Sequence, residues 1–359
     1  MKAWVVVKNA EPGYALALQD VQDPPAVAAA PKGSDILVRI THAALNPADL
    51  HFMLHLPTWI PFRRNAMPGL DFAGEIVKLG PMAAAAPAHA AAPLTVGARV
   101  SGCLSIRLVA TGHGSLAEYI TVPAEVVVRV PDGLSSETAV GMLGCAGQTA
   151  HLVMTNPGAD AVFQSDAAKS RTSPPRVLIN GASGGVGSLV TQIAKARGAY
   201  VVAVCSAANE ALVRRNGADE IVDYQTHDPL PQAAKQASSG PFDLIVDCMG
   251  DQPLFLQCSP YLVPRGSFLC IVGGPSQGVV PFVRNKILPW FLGGPARTYQ
   301  ILGLAPSGER ARAVAAWYAD GTVKDMPIDS VHPMADAVKA YGKLATKRAK
   351  GKIVIKVQE

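Results

Sequence analysis

Residues 177–187 read VLINGASGGVG, and this segment is the most informative one about the fold. Its first three residues, 177–179, have the apolar character of a short buried strand. The glycines lead into SLVTQIAKARGA (188–199), where apolar residues recur at helical spacing. A strand, a glycine-rich turn and a helix N-terminus form a phosphate-binding cradle, because free backbone N–H groups and the positive end of the helix dipole face the anion.

The turn matches most of the dinucleotide-binding pattern G-x-G-x-x-G. The six aligned residues are 182–187, ASGGVG, so Ala182 stands at the first glycine position. Gly184 would let the backbone approach a pyrophosphate, and Gly187 would let the helix pack closely on the strand. A glycine-rich turn that binds no ligand is the alternative interpretation, and the flanking strand and helix make it the weaker one.

The composition is that of an ordinary globular protein of 359 residues, a length that suggests two domains. The net charge of +5, from 32 basic and 27 acidic residues, is too small and too scattered to indicate a nucleic-acid partner. No apolar run approaches the ~18 residues of a membrane span, and the first residues lack the features of a signal or transit peptide. The six cysteines stand singly, which favours free thiols in a reducing compartment and a cytoplasmic location.

Two kinds of region follow one another along the chain. Up to about residue 150, short β-branched runs are bounded by Gly, Pro or Asn, which predicts an antiparallel β domain with a barrel-like core. From 151 to 305, strands alternate with helical segments, which predicts a parallel sheet with helices on both faces and a ligand at the carboxyl ends of its strands. The predicted domains are therefore 1–150 together with 306–359, and 151–305.

Two segments are predicted to be surface insertions. Residues 81–93 are a low-complexity run of Ala and Pro, and residues 158–175 form a long polar segment directly before the glycine-rich unit. Long loops without regular structure are either functional or loosely ordered, and the composition of both segments favours loose order.

The second strand of the parallel sheet indicates which dinucleotide is bound. An Asp or Glu at the tip of this strand would bind the ribose 2′-hydroxyl of NAD. The residue after Cys205 is Ser206 instead, and Arg214, Arg215 and Tyr224 follow within reach. Hydroxyl and guanidinium groups suit a 2′-phosphate, so the sequence favours NADPH over NADH. The alternative for Arg214 and Arg215 is that they are solvated residues at the end of a helix.

These segments carry a family likeness over nearly the whole chain. The sequence resembles the medium-chain dehydrogenase/reductase superfamily, in particular its zinc-free quinone oxidoreductase and enoyl reductase branch. The resemblance implies an α/β protein, with a GroES-like β-barrel domain and a Rossmann domain that holds a doubly wound parallel sheet. The motifs that carry it are HAALNPADLHF (42–52), MPGLDFAGEIVKLG (67–80), GSLAEYITVPAE (114–125), VGMLGCAGQTA (140–150), VLINGASGGVGSLVTQIAKARGA (177–199), GADEIVDY (217–224) and GKIVIKV (351–357).

The resemblance also implies contacts with the cofactor. The branch usually has a Lys where this chain has Asn209, so Arg214 or Arg215 would replace that charge. Lys352 matches a basic position near the cofactor cleft, with a snorkelling side chain as the alternative. The implied contacts are Ser183, Gly184, Gly185 and Val186 for the pyrophosphate, Ser206, Arg214 and Tyr224 for the 2′-phosphate, and Thr149, Cys248, Val272, Gly273, Ile301 and Gly303 for the nicotinamide side.

The resemblance further implies that no zinc is bound. Zinc-dependent members have a Cys where this chain has Asn46, and a His-Glu pair where it has Leu70-Asp71. Catalytic zinc needs three protein ligands, and Leu cannot supply one. Asn46 is a candidate catalytic donor to a substrate oxygen or to the ribose, or else a turn residue before Pro47. Asp49 and Asp71 are expected to organise the loop.

The substrate pocket is predicted from aromatic residues. Relatives carry a Tyr proton donor in the region that matches 56–62, but this chain has none there, so water is the expected proton source. Trp59, Phe62 and Trp290 are the predicted pocket residues. Trp59, Ile60 and Phe62 favour a flat, apolar substrate, while the segment around Trp290, PWFLGGP (289–295), would line either the pocket or a dimer seam. Arg63 and Arg64 would attract an anionic substrate or form part of a solvated loop.

Three functional hypotheses follow. The first is an NADPH-dependent, zinc-independent reductase of quinones or α,β-unsaturated carbonyls, since a metal-free site favours acceptors that are already electron-poor. The second is a trans-acting enoyl reductase that serves a polyketide or fatty-acid synthase and takes a carrier-bound substrate. The third is a protein that binds NADPH without catalysis. The resemblance implies a homodimer as one expected assembly.

Overall fold

The structure is a computed structural model that describes residues 1–63, 65–83, 92–165, 170–226, 240–272 and 297–358, without the side chain of Phe62. It divides into two compact units. The N-terminal unit consists of Met1–Gln148, Ala305–Gly321 and Asp325–Glu359, and the central unit of Thr149–Leu304 and Thr322–Lys324.

Strands and helices are numbered here in chain order. The strands are β1 (Lys2–Val6), β2 (Leu16–Asp20), β3 (Asp35–Ala44), β4 (Asp71–Leu79), β5 (Arg99–Cys103), β6 (Tyr119–Pro123), β7 (Val127–Arg129), β8 (Arg176–Asn180), β9 (Tyr200–Cys205), β10 (Glu220–Asp223), β11 (Phe242–Asp247), β12 (Leu262–Cys270), β13 (Thr298–Ile301), β14 (Ile328–Pro333) and β15 (Lys352–Lys356). The α-helices are α1 (Pro12–Ala15), α2 (Pro25–Ala28), α3 (Pro47–His55), α4 (Ile106–Ala110), α5 (Ser136–Met142), α6 (Cys145–Met154), α7 (Pro157–Gln164), α8 (Gly185–Ala196), α9 (Glu210–Arg215), α10 (Gln252–Leu256), α11 (Gly308–Ala319) and α12 (Ala337–Ala345). Short 3-10 helices cover Pro61–Arg63, Ala124–Val126, Ala207–Asn209 and Met334–Asp336.

The N-terminal unit is built on a largely antiparallel sheet. Its strand order is β14-β15-β3-β4-β5-β7, with β6 also paired to β3, while β1 and β2 form a separate ribbon. Strand β3 is the centre, because it pairs with β4, β6 and β15. Ile36, Val38 and Ile40 alternate along β3 and are fully buried with Phe72 of β4, so one face of the sheet forms the core. The predicted antiparallel β domain is confirmed.

The central unit contains a six-stranded parallel sheet. Its order is β10-β9-β8-β11-β12-β13, which is 3-2-1-4-5-6 in terms of the strands of this unit. This is the strand order of the Rossmann fold. All six residues of Phe242–Asp247 are buried, as expected for a strand covered on both faces. The predicted doubly wound parallel sheet is confirmed.

The glycine-rich turn between β8 and α8 uses its glycines for two different reasons. Gly181 has a φ of 83°, a conformation that favours glycine, so it supplies the tight turn one residue before Ala182. A Cβ atom on Gly187 would lie 2.2 Å from the carbonyl oxygen of Gly181. Close packing of α8 on the turn therefore requires glycine at position 187, as the sequence predicts.

The segment before β8 corrects one expectation. The prediction of a long loop over 158–175 is wrong for its first half, because α7 occupies Pro157–Gln164. Pro157 stands in the first turn, and the side chain of Asn156 accepts a hydrogen bond from the Gly158 N–H at 2.9 Å. The guanidinium of Arg197 also covers the ring of Phe163. Residues 84–91 and 166–169, in the two predicted insertions, lie outside the described residues.

Within the described ranges, every helix is too short or too polar to cross a bilayer.

The close packing at Gly187 can be tested by adding one methyl group. We expect Gly187→Ala to lower the free energy of unfolding by about 1–3 kcal/mol, because its Cβ overlaps the Gly181 carbonyl. Gly184→Ala in the same turn is the matched control, since its nearest contact would be an ordinary 3.4 Å. Urea denaturation of the apo protein measures both variants, and equal losses would contradict the packing argument.

Candidate active site

The carboxyl ends of the parallel strands lie in register along one edge of the sheet in the central unit. Three of the predicted cofactor contacts, Ser206, Tyr224 and Cys248, directly follow a strand end, and Val272 lies two residues after β12. Parallel strands in register bring such residues to the same edge, where open α/β sheets bind ligands. The aligned strand-end pairs are Asn180–Val204, Cys205–Asp223, Asn180–Asp247, Asp247–Cys270 and Cys270–Ile301.

The start of α8 fits a pyrophosphate. The first intrahelical bond runs from the Ser188 N–H to the Gly184 carbonyl at 2.9 Å. The N–H groups of Gly185, Val186 and Gly187 therefore have no partner within the helix. A Cβ on Gly184 would meet nothing closer than 3.4 Å, so a ligand can approach the backbone there.

The other predicted contacts of this unit differ in exposure. Tyr224 is 46% exposed and Val272 is 38% exposed, so both side chains are accessible. Thr149 is buried in α6, and Cys248 is partly buried. Ile301 ends β13, with Gly303 two residues beyond it, while Gly273 lies outside the described residues.

The two arginines of α9 are not equivalent. Arg214 Nε lies 2.7 Å from Glu210 Oε1, and its Nη1 donates to the Asp219 carbonyl at 3.2 Å. Its charge is therefore already compensated. Arg215 is exposed and has no ion pair with any described residue. Arg215 is thus the better candidate for a 2′-phosphate.

The N-terminal unit buries a charged cluster, which we call the lysine cluster: Asn46, Asp49, Asp71 and Lys352. Each of these side chains is at most 4% exposed. The Lys352 ammonium donates to the Leu45 carbonyl at 2.9 Å, to Asn46 Oδ1 at 2.7 Å and to Asp71 Oδ2 at 3.0 Å. All three of its N–H bonds are satisfied, so the alternative of a snorkelling Lys352 is wrong.

Asn46 is held from both ends of its amide. Its Nδ2 donates to Asp71 Oδ2 at 2.9 Å and to the Ala44 carbonyl at 3.3 Å, while its Oδ1 accepts from Lys352. Its backbone N–H donates to Asp49 Oδ2 at 2.8 Å, which fixes the start of α3. No N–H of Asn46 is left for a substrate oxygen in this arrangement, which corrects the expectation of a catalytic donor. Asp49 and Asp71 organise the loop, as expected.

Sequence reasoning missed this cluster because its members are far apart in the chain. Lys352 and Asn46 are 306 residues apart, and only the pairing of β15 with β3, which aligns Val354 with Ala44, brings them together. The available signal was Lys352 at the start of the final strand, KIVIK, directly before three apolar residues.

Asp49 and Arg63 share a small buried cavity of about 10 Å³, room for one water molecule. Asp49 Oδ1 and Arg63 Nε are both buried without a partner among the described residues. The Nη1 of Arg63 donates to the carbonyls of Val109 and Ala110. Arg63 is only 3% exposed, so both predictions for it, attraction of an anionic substrate and a solvated loop, are wrong.

Burial raises the pKa of Asp49 to about 7. The loss of water around the carboxyl raises its pKa by more than the hydrogen bond from the Asn46 N–H lowers it. The charge of Asp71 raises the pKa further, and the charge of Lys352 lowers it. The carboxyl therefore changes charge near neutral pH while it remains inside the protein.

The structure describes one of the three predicted pocket residues. Trp59 is 78% exposed. The side chain of Phe62, and Arg64 and Trp290 entirely, lie outside the described residues. The pocket assignment of all three aromatic residues therefore stays a prediction.

Comparisons with known proteins agree with this architecture. The family model described as "Alcohol dehydrogenase GroES-like domain" matches residues 32–132, and that described as "Zinc-binding dehydrogenase" matches residues 216–355. The chain is 34% identical over 337 residues to the medium chain reductase pydE of an Acremonium species, which covers 90% of each protein. This chain belongs to the medium-chain dehydrogenase/reductase superfamily.

Two further members extend the likeness to the full length. The trans-enoyl reductase poxH of Penicillium oxalicum is 29% identical and covers 100% of this chain and 98% of that protein. The solved structure of the quinone oxidoreductase from Coxiella burnetii superposes with a TM-score of 0.77, at 23% identity, over 100% of this chain and 99% of that one. The structural likeness supports the fold predicted for this superfamily member.

The residues at the zinc position of this superfamily do not fit a zinc ion. The amide of Asn46 is fully engaged, and Leu70 is a buried apolar side chain. Lys352 brings a positive charge to the oxygens of Asn46 and Asp71 that would have to face the metal. In the ranges that the structure covers, no three His, Cys, Asp or Glu side chains are grouped as metal ligands would be.

The Lys352–Asp71 pair can be tested by removal of one partner. We expect Lys352→Met to lower the free energy of unfolding by about 3–5 kcal/mol, because it leaves Asp71 buried without its cation. The double variant Lys352→Met with Asp71→Asn should lose less than the sum of the single variants. Lys2→Met, at the exposed pair with Asp20, is the control and should cost about 0–1 kcal/mol. Additive losses in urea denaturation would contradict the buried pair.

The raised pKa of Asp49 makes a prediction for stability against pH. The neutral carboxyl favours the folded state, so its contribution is present below the unfolded pKa and is lost as pH rises to about 7. Relative to Asp49→Asn, the wild type should lose about 2–4 kcal/mol of unfolding free energy between pH 4.5 and pH 8. Denaturation over this range measures the difference, with Asp20→Asn as an exposed control. Parallel curves for wild type and Asp49→Asn would contradict it.

Proposed function

We propose that this chain is an NADPH-dependent, zinc-independent reductase that transfers hydride to a quinone or an α,β-unsaturated carbonyl. The observation that carries the proposal is the buried Lys352, whose ammonium bonds the oxygens of Asn46 and Asp71. These residues provide no Lewis acid to lower the pKa of an alcohol, so oxidation of alcohols is disfavoured. An acceptor that is already electron-poor does not need one.

The sheet edge of the central unit supplies the cofactor site in this proposal. The N–H groups at the start of α8 would hold the pyrophosphate, together with the backbone N–H of Ser183. Ser206, Tyr224 and Arg215 would hold the 2′-phosphate, because no carboxylate stands at the tip of β9 to repel it. Thr149, Cys248, Val272, Ile301 and Gly303 keep their predicted role on the nicotinamide side, as does Gly273.

The chemistry divides between cofactor and protein. A bound reduced nicotinamide supplies the hydride. The protein orients the cofactor, and the lysine cluster fixes the loop from Leu45 to the start of α3. Proton delivery is assigned to water, as the sequence between 56 and 62 contains no Tyr.

The second candidate is a trans-acting enoyl reductase, which performs the same hydride transfer on a carrier-bound thioester. The full-length match to a trans-enoyl reductase favours it. A carrier-protein partner, a homodimer and a cytoplasmic location stay predictions.

A substrate panel tests the proposal. Purified protein is mixed with NADPH or NADH and with quinones, enones and enoyl thioesters, and cofactor oxidation is followed by absorbance. We expect turnover with at least one class and the higher kcat/KM with NADPH. Turnover of thioesters alone would favour the second candidate. Cofactor binding without any turnover would overturn both candidates and leave a non-catalytic NADPH-binding protein.

A further inference from the structure

Asn209 lies at the tip of β9, beside the predicted cofactor turn. It ends the 3-10 helix Ala207–Asn209, and its backbone N–H donates to the Ser206 carbonyl at 2.8 Å. Its side-chain Nδ2 donates to Ser183 Oγ at 3.1 Å. Ser183 belongs to the turn after β8, so this hydrogen bond joins the tips of two neighbouring strands.

The other end of this amide has no partner. Asn209 is only 9% exposed, and its Oδ1 is buried without a hydrogen bond to any described residue. A buried acceptor without a donor costs free energy, so it marks a position where a ligand can supply the donor. An adenosine ribose whose pyrophosphate lies on the glycine-rich turn brings its 2′ position to this strand tip.

The amide can also turn over without loss of its bond to the turn. A serine hydroxyl both donates and accepts, so Ser183 can accept from Nδ2 or donate to Oδ1. A rotation of the amide by half a turn therefore keeps that bond and presents an NH₂ group, in place of an oxygen, at the position of the free Oδ1. One side chain offers either an acceptor or a donor to the same ligand group.

The neighbouring charges leave this choice open. Glu210 is the first carboxylate after β9, and it is paired with Arg214 at 2.7 Å. The exposed guanidinium of Arg215 adds positive charge nearby on α9. Among the described residues, Glu210 is paired, the Asp223 carboxylate at the end of β10 accepts from the Gln225 N–H at 2.9 Å, and no buried cation stands at the strand tip to require a 2′-phosphate.

We infer that Asn209 lets this chain bind both nicotinamide dinucleotides. Its oxygen accepts from the adenosine 2′-hydroxyl of NADH, and after rotation its NH₂ group donates to the 2′-phosphate of NADPH. NADH is thus a second cofactor beside the NADPH of the proposed function, on which this inference rests. Asn209 is a specificity-determining residue.

Direct binding of NADPH and NADH, measured by calorimetry without substrate, tests this role. For the wild type we expect the two dissociation constants to differ by no more than about tenfold. Asn209→Asp should raise the dissociation constant of NADPH by about tenfold or more and leave that of NADH nearly unchanged. The reason is that a carboxylate accepts a hydrogen bond from a hydroxyl and repels a phosphate. Asn209→Leu should weaken both dinucleotides by a similar factor.

The control is Gln257→Glu, which adds the same charge at an exposed site after α10 and should leave both constants unchanged. An equal change for NADPH and NADH in Asn209→Asp would overturn the inference. A wild-type protein whose dissociation constants for NADPH and NADH differ by more than about a hundredfold would also overturn it.

A wild-type measurement keeps the test valid if the variants do not fold. The analogue of NADH that lacks the adenosine 2′-hydroxyl should bind about fivefold or more weakly than NADH, and equal affinity would overturn the inference. The two levels of failure are distinct. If neither dinucleotide binds, the proposed function is contradicted as well. If both bind and Asn209→Asp keeps the wild-type preference between NADPH and NADH, only the role of Asn209 is contradicted.

Discussion

An ammonium group shut off from water must find an acceptor for each of its three N–H bonds, and this requirement organises the N-terminal unit around Lys352. Two acceptors follow β3, and the third, Asp71, begins β4. Asp71 also accepts from the backbone N–H of Cys145, where α6 begins, at 2.6 Å. One buried charge thus fixes the ends of three strands and the start of a helix. The same bonds leave Asn46 with a structural role in place of a direct chemical one.

The parts of the fold that could be predicted are those encoded by neighbouring residues. The turn at 177–187 and the alternation of strands and helices after it are local patterns, so they predicted the parallel sheet. Ser206 could be assigned to the tip of β9 for the same reason, since it directly follows Cys205. The pattern places the glycine of the tight turn at position 182, where this chain has Ala. The structure shows that Gly181, with its positive φ, makes the turn, and a pattern match contains no information on φ.

The parts that could not be predicted depend on contacts between distant residues. The sequence predicted a surface charge at Arg63, but its guanidinium donates to two carbonyls of α4 and is buried. The sequence shows only that Asn209 stands where related proteins usually have a Lys. No neighbouring residue indicates that its amide bonds Ser183. Helix α7 was missed because its sequence is short and begins with Pro-Gly, and its support comes partly from Arg197, which follows α8.

The late place of Lys352 in the chain has a consequence for synthesis on the ribosome. The central unit is almost continuous from Thr149 to Leu304, whereas the N-terminal unit is assembled from three separate segments. Domains generally fold as their residues emerge. The nascent first 148 residues therefore present Asp71 and Asn46 without their cation until the final strand has left the exit tunnel. The central unit can complete its sheet before the unit that precedes it in sequence.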